Sequence, residues 1–168
     1  INGYPIDAEG TVYDPANPYV NRDPRLALYV AYNSSKMGPD GYHTIETYEG
    51  GEDGFNLLKG TSRTGYYLRK LLRTGTINLT PNVPGTNSTN RVNIILGKPE
   101  LYLTFTEAAN EAWGVTGDPN GYGFTARDVL VKIHKKFNSG NGYLNNVIGN
   151  NTDMFRDYIR NCRRLELS

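Results

Sequence analysis

The stretch ELYLTFTEAANEAWG, Glu100–Gly114, has the apolar spacing of an amphipathic helix. Pro99 stands just before it, at a position where the missing N–H of proline costs a helix little. Gly114 is a residue type that often follows the last turn of a helix. The stretch therefore predicts a helix from about Pro99 to Gly114, and its predicted apolar face consists of Leu101, Phe105, Ala108 and Ala112.

Two further helices are predicted after this stretch. Thr125 is a suitable N-cap, and Asp128 three residues later completes a variant of the capping box. The apolar face of this second helix consists of Ala126, Val129, Leu130, Ile133 and Phe137. A third helix is predicted from near Thr152, and its apolar stripe consists of Phe155, Tyr158, Ile159, Cys162 and Leu165. We expect the first two helices to pack as an antiparallel hairpin through their apolar faces.

The N-terminal part of the chain has a different character, because Gly, Pro, Asn and Asp interrupt it repeatedly. Its composition predicts short strands at Leu26–Tyr32 and Tyr42–Tyr48 and a short helix at Thr64–Leu72. We therefore predict a loop-rich segment with short strands at residues 1–97 and a helical segment at residues 98–168. We expect both segments to belong to one mainly α domain, incomplete at both ends, since the chain begins without Met and stops inside a predicted helix.

The pentapeptide Asn21–Arg25 contains two arginines around a proline. Pro24 disfavours the helical region for Asp23, so the pentapeptide is predicted to be extended or turned rather than helical. Arginine side chains beside such a turn are suited to hold it through hydrogen bonds to carboxylates or backbone carbonyls. We expect Arg22 and Arg25 to stabilise the fold and not to contact a ligand.

The charge balance indicates a neutral ligand. The 168 residues include 18 basic and 17 acidic side chains, which give a net charge of +1. A nucleic-acid-binding domain usually has a clear basic excess, and this chain has none. The sequence also lacks an apolar run long enough to cross a membrane.

Catalytic and metal sites are poorly supported. The neighbouring carboxylates of Glu46 and Glu49, and of Glu52 and Asp53, lie in glycine-rich sequence without the apolar surroundings that raise the pKa of a catalytic acid. Only two histidines and one cysteine are present, too few for a zinc site, and His134 is expected to be solvated. The segment Asp118–Gly123 resembles the start of a calcium loop, but the twelfth position is Val129 instead of glutamate, so a plain connection between helices is favoured.

Five short motifs in this order resemble those of the SusD/RagB family. They are GYPI at Gly3–Ile6, NRDPRL at Asn21–Leu26, TGYYLRKLL at Thr64–Leu72, ELYLTFTEAANEAWG at Glu100–Gly114 and RRLEL at Arg163–Leu167. The resemblance implies a mainly α fold with tetratricopeptide-type helical hairpins and an irregular, loop-rich half with short β-strands.

The resemblance also implies a function. Members of the family are non-catalytic lipoproteins of the outer membrane that bind glycans or other nutrients. We therefore expect this chain to need no cofactor, to bind an oligosaccharide on the outward face of the outer membrane, and to pass it to a TonB-dependent transporter of the SusC type. Membrane contact would be made only through a lipid anchor on a cysteine that this sequence does not contain.

Tyr42, His43 and Tyr48 are the candidate ligand-binding residues. They lie among glycines in the segment Gly38–Gly54, where two tyrosine rings and an imidazole are suited to the apolar faces and hydroxyls of a sugar. The alternative is that these tyrosines only cover a sheet, and Trp113 is expected to be a packed anchor between helices. The alternative function is a helical-repeat scaffold that binds a peptide or protein in an apolar groove.

Overall fold

The computed structural model describes residues 2–37, 41–56, 59–70 and 96–167. The structure is mostly helical, with 42% helix and 6% strand, which confirms the predicted mainly α class. In chain order the elements are α1 (Pro24–Tyr29), β1 (Val30–Ala31), β2 (Lys36–Met37), β3 (His43–Thr44), β4 (Tyr67–Leu68), α2 (Lys98–Trp113), α3 (Ala126–Lys136), one π-helical turn (Leu144–Ile148) and α4 (Thr152–Leu167).

The chain forms two compact units. The first, here called the helical unit, combines residues 1–24 with residues 93–168, and the second, the loop unit, consists of residues 25–92. The N-terminal residues thus pack with the C-terminal helices. The division of the chain into a loop-rich segment at residues 1–97 and a helical segment at residues 98–168 stays a prediction.

The long helices begin and end close to the predicted residues. The backbone N–H of Gly114 bonds to Asn110 O and Gly114 has a φ of 77°, a conformation that glycine adopts without strain. Thr125 and Asp128 form the predicted reciprocal capping box at the start of α3. These local signals were sufficient because capping depends on residues within one helical turn.

Contacts at both ends show that α2 runs antiparallel to α3. The Lys132 ammonium near the end of α3 lies 5.5 Å from the ring centroid of Tyr102 in the first turns of α2. At the opposite end, Arg127 donates its backbone N–H to the carbonyl oxygen of Val115 at 3.1 Å. The predicted antiparallel packing is therefore confirmed. Helix α2 also packs against α4, and Asn110 Nδ2 donates to Thr152 O at 3.1 Å.

The predicted apolar face of α2 is wrong, whereas that of α3 is right. Val129, Leu130 and Ile133 of α3 are all buried, but Leu101 of α2 is 56% exposed. Ala108 and Ala112 are also exposed and Phe105 is half-buried. The buried residues of α2 are instead Leu103, Thr106, Ala109 and Asn110.

Polar side chains explain the error on α2. Thr106 Oγ1 donates to Tyr102 O at 2.7 Å, so the hydroxyl is satisfied within the helix while its methyl group packs inside. Asn110 is satisfied in part by the first residue of α4, as described above. Two polar residues therefore lie on the buried face of α2, and this helix packs against both α3 and α4. A count of apolar spacings cannot identify a buried face that contains polar residues.

The predicted strand Leu26–Tyr32 is mostly helix. Pro24 occupies the first position of α1, where its fixed φ suits a helix, and only Val30–Ala31 continues as a strand. The residues before it, Asn21–Asp23, are non-helical as predicted, and Asn21 has a φ of 57°. The non-helical segment thus ends at Asp23, two residues earlier than predicted, because Pro24 and Arg25 already belong to α1.

The two arginines of this segment are held within the structure. Arg22 Nη1 donates to Pro18 O at 2.9 Å, and its guanidinium carbon lies 5.3 Å from the centroid of the Tyr13 ring. Arg25 is buried, with 5% of its surface exposed. Arg25 also has an interaction partner in the structure, so its charge is not isolated.

The loop unit contains two small antiparallel sheets. Strand β1 pairs with β4 and strand β2 pairs with β3, each over two residues. The predicted strand Tyr42–Tyr48 shrinks to His43–Thr44, and the helix predicted at Thr64–Leu72 is absent from the described residues up to 70, where β4 lies instead. Gly65 has a φ of 73°, which is incompatible with a regular helix at that point. Residues 71 and 72 lie outside the described part of the chain.

Gly3 of the GYPI motif allows the N-terminus to pack against the helical unit. A Cβ atom at this position would lie 2.2 Å from the carbonyl oxygen of Gly140. Its φ of 84° is also a conformation that side chains disfavour. The residue before Gly3 is also held, since Asn2 O accepts a hydrogen bond from the N–H of Gly142 at 2.9 Å.

Candidate functional site

The loop that follows β3 is organised by the carboxylate of Asp53. Asp53 Oδ2 accepts the backbone N–H of Glu46 at 2.9 Å and lies 2.9 Å from His43 Nε2. The backbone carbonyl of Asp53 accepts a hydrogen bond from the hydroxyl of Tyr67 at 2.8 Å. One residue thus connects β3, the loop and β4.

The two predicted tyrosines lie on either side of β3: Tyr42 directly precedes the strand, and Tyr48 lies in the loop that follows it. Tyr42 is 82% exposed and Tyr48 is 55% exposed. The negative charge of nearby Glu46 raises the pKa of the Tyr48 hydroxyl, so Tyr48 is neutral at physiological pH. Both rings are accessible to a ligand.

His43 differs from the two tyrosines, because it is half-buried and engaged by Asp53. When Nε2–H of a neutral His43 donates a hydrogen bond to Asp53 Oδ2, the imidazole keeps Nδ1 as an acceptor. The carboxylate of Asp53 is likewise occupied by donors, which is consistent with a structural rather than catalytic role. The assignment of ligand contacts to Tyr42, His43 and Tyr48 stays a prediction.

A second group of aromatic side chains lies at the connection between α2 and α3. The rings of Tyr122 and Phe124 are near-parallel, with centroids 6.0 Å apart and an angle of 24° between their planes. Phe105 contacts Phe124 at 5.3 Å, and Trp113 contacts Tyr122 at 6.1 Å. We call these four residues the aromatic row.

The aromatic row combines exposed and packed rings. Tyr122 is 52% exposed and Phe124 is 44% exposed. Phe105 and Trp113 are half-buried and pack against the core of the helical unit, which agrees with the packing role expected for Trp113. Sequence reasoning missed the row because Tyr122 and Phe124 belong to a connection, but their spacing of two residues beside Gly121 and Gly123 was a usable signal.

Asp118 holds the connection that carries these rings. Its two carboxylate oxygens accept the backbone N–H groups of Tyr122 and Gly123, each at 2.8 Å. These bonds organise the segment that resembled the start of a calcium loop. Among the residues described in the structure, no cluster of three or more His, Cys, Asp or Glu side chains is arranged to hold a metal ion.

The expectation that His134 is solvated is wrong. His134 is 1% exposed, its Nδ1 lies 2.6 Å from Asn141 Oδ1, and its Nε2 lies 3.7 Å from Cys162 Sγ. The amide oxygen of Asn141 can only accept, so Nδ1 carries the proton and Nε2 faces the thiol as an acceptor. His134 follows Leu130 by four residues, a spacing that could have placed it on the apolar face of α3.

In this cluster an amide contacts an imidazole and the imidazole contacts a thiol, as in sites where a histidine activates a cysteine. Cys162 is only 2% exposed, however, so a dissolved substrate has no access to its sulfur in the folded protein. A buried thiol of this kind behaves as a small apolar side chain. The cluster therefore contributes to the packing of α3 against α4.

Comparison with known protein families gives one match, which covers residues 2–168 and is described as the SusD family. The comparisons with curated proteins and with solved structures give no match. Within the described residues, no helix has the length and apolar character needed to cross a membrane.

Proposed function

The chain belongs to the SusD family, and on that premise we propose that it binds a neutral oligosaccharide for delivery to a TonB-dependent transporter of the SusC type. At a general level the family assignment gives a glycan-binding, non-catalytic role in nutrient uptake and an association with the cell surface. The transporter and the position on the outward face of the outer membrane, through a lipid anchor, are our proposals from the family resemblance.

The observation that carries this proposal is the exposure of Tyr42 and Tyr48 on either side of β3, in a segment that Asp53 braces through His43 and the backbone of Glu46. A tyrosine ring presents a flat apolar face, which suits the C–H groups on one side of a pyranose. Because Asp53 fixes the backbone between them, less conformational freedom is lost when a ligand binds. A loop of this kind is suited to weak, reversible capture.

His43 supplies the polar part of the proposed site. Its Nδ1 is an acceptor for a sugar hydroxyl as long as Asp53 accepts from Nε2. The imidazole would thus fix the orientation of a sugar that the neighbouring Tyr42 ring holds by stacking. A charged ligand is not required, which agrees with the net charge of +1.

The placement of exposed rings favours sugar over the alternative of a peptide-binding scaffold. A scaffold of helical repeats would offer an apolar groove between helices to its partner. Here the described faces between α2, α3 and α4 are filled by their own buried side chains, among them Leu103, Leu130 and Phe155. The large exposed aromatics lie on loops instead.

Isothermal calorimetry with a panel of neutral oligosaccharides tests the proposal. We expect weak binding by the natural protein, because a shallow surface buries little area, and about tenfold weaker binding by the double variant Tyr42→Ala, Tyr48→Ala. Tyr66→Ala is the matched control, since Tyr66 is a tyrosine of the same unit with 47% exposure.

Undiminished binding by the double variant would exclude this loop as the site. Absence of binding to any sugar, together with tight binding to a peptide, would favour the scaffold function. Co-purification of the full-length protein with a transporter barrel from outer membranes is the separate test of the proposed partner.

A further inference from the structure

We propose that the aromatic row, formed by Phe105, Trp113, Tyr122 and Phe124, is a second binding site for a neutral oligosaccharide. It uses none of the residues of the Tyr42 and Tyr48 loop and belongs to the helical unit. The inference rests on the proposed function for the class of ligand, and on the geometry of the row for its location.

The exposed rings provide the apolar surface that a sugar needs. The rings of Tyr122 and Phe124 are stacked, with centroids 6.0 Å apart and planes at 24°, and both residues are about half exposed, so the pair offers near-parallel apolar surface, here called the platform, to a ligand. Phe105 and Trp113 contact this platform from the side of the core, at 5.3 Å and 6.1 Å. Large rings that stay half-exposed on a supported surface are costly to leave in water and are frequent at binding sites.

The platform is already in place before a ligand arrives. Asp118 accepts N–H groups from Tyr122 and Gly123, and the N–H of Gly121 bonds to Asp118 O at 3.2 Å. The loop therefore satisfies the backbone donors of residues 121–123, and these bonds hold the backbone on which Tyr122 lies and from which Phe124 follows. Binding to such a surface orders few protein groups, so little conformational entropy is lost and even a small contact area can give measurable affinity.

Polar groups at the edge of the platform fit a sugar. Asn120 Nδ2 donates to the Tyr122 hydroxyl oxygen at 3.1 Å. Among the hydrogen bonds of the described residues, the hydroxyl hydrogen of Tyr122 and the amide oxygen of Asn120 have no partner, and both residues are exposed. One donor and one acceptor beside an aromatic face are the groups that recognise the hydroxyls of a pyranose.

The size of the row argues against a protein partner as its occupant. A stable protein–protein interface buries about 800 Å² on each side, an area that needs on the order of 20 residues. Two exposed rings and two polar groups supply far less. They match the footprint of one or two sugar residues.

Trp113 gives this site a spectroscopic signal of its own. It is the only tryptophan of the chain, and its ring contacts Tyr122. A sugar that stacks on Tyr122 and Phe124 should change the fluorescence of Trp113. We propose to titrate neutral oligosaccharides while following tryptophan emission, in parallel with calorimetry on the same samples.

The variant Tyr122→Ala, Phe124→Ala removes the platform, and Leu101→Ala is the control. Leu101 is an apolar residue of α2 with 56% exposure that does not belong to the row. In the double variant we expect loss of the fluorescence change and about tenfold weakening of one of the two calorimetric binding events, and neither effect in the control. Circular dichroism verifies the fold of each variant, and Tyr122→Ala alone replaces the double variant if that one does not fold.

The outcomes separate this inference from the proposed function. Unchanged affinity and an unchanged fluorescence response in the platform variant would overturn the second site. Sugar binding that is lost only in the Tyr42→Ala, Tyr48→Ala variant would also overturn it, while supporting the proposed function. If the natural protein binds no oligosaccharide by calorimetry, the proposed function and the second site both fall.

Discussion

The buried side chain of Arg25 gives the NRDPRL motif a structural role. With 5% exposure its guanidinium is removed from water, and a buried charge must keep its partners to be tolerated. We predict that Arg25→Ala lowers the free energy of unfolding by about 2 to 3 kcal/mol, because it removes a buried side chain together with the interactions that hold its charge. Arg22→Ala is the control, with a smaller loss, since Arg22 is half-buried and donates to one carbonyl.

Urea denaturation of both arginine variants provides the measurement, and sugar affinity is measured on the same proteins. We expect the affinity to be unchanged. Normal stability of the Arg25 variant combined with lost sugar binding would instead assign Arg25 to a binding site.

Single residues were predictable from sequence where their partners are close along the chain. Thr125 was identified as a cap because Asp128 lies three residues away. His134 was not, because its partners lie 7 and 28 residues away, and a polar residue among lysines normally points to solvent. The exposure of Tyr42 and Tyr48 was predictable from their glycine-rich surroundings, whereas the engagement of His43 by Asp53 depends on the fold of the loop.

Helix α2 provides the sharpest test of how the helices pack. Leu103 is completely buried in the core of the helical unit, whereas Leu101, two residues earlier on the same helix, is 56% exposed. We predict that Leu103→Ala lowers the free energy of unfolding by about 2 to 5 kcal/mol, because it leaves a cavity, and that Leu101→Ala changes it by less than about 0.5 kcal/mol. Thermal and urea unfolding of this pair provide the measurement, and equal losses would contradict the packing described above.

Ion pairs between α2 and α4 make the stability of the helical unit sensitive to acid. Arg156 binds Glu111 through two hydrogen bonds, one of them 2.7 Å long, and these bonds lower the pKa of the Glu111 carboxyl. A carboxyl whose pKa is lower in the folded than in the unfolded protein stabilises the fold at neutral pH. That contribution is lost as the pH falls through the folded pKa.

We therefore predict that Glu111→Gln lowers the melting temperature at pH 7. The difference from the natural protein should shrink as the pH falls below 4.5, the ordinary pKa of this side chain. Glu107→Gln is the matched control with a smaller effect, because Glu107 lies 3.8 Å from Arg163. A difference that stays constant between pH 7 and acid pH would show that Glu111 stabilises the protein without its charge.

Helix bounds were predictable and helix faces only in part. The bounds of α2, α3 and α4 depend on local signals such as Pro99, Gly114 and Thr125, and these were right to within a residue or two. The buried face of α2 depends on two neighbours, α3 and α4, which place Thr106 and Asn110 inside. The short α1 was missed because six residues carry little periodicity and its Leu, Tyr and Val content suits a strand equally well.

The protein as a whole is close to electrically neutral, with 18 basic and 17 acidic residues. Long-range electrostatic attraction therefore contributes little to the capture of a ligand, and stacking and hydrogen bonds provide the affinity. We predict that the dissociation constant for a neutral oligosaccharide changes less than about twofold between low salt and roughly 1 M salt, where exposed charges are screened beyond about 3 Å. A steep loss of affinity with salt, measured by calorimetry, would indicate a charged ligand.

The buried Cys162 can be used to measure how often α3 and α4 of the helical unit separate. It is the only cysteine of the chain and is 2% exposed, so a thiol reagent can react with it only in molecules whose α3 and α4 have separated. When closing is faster than labelling, the observed labelling rate divided by that of an unfolded thiol gives the equilibrium population of the open form. Repeated with a bound sugar, the same experiment would report how strongly a ligand at the connection between α2 and α3 stabilises the closed helices, without any engineered probe.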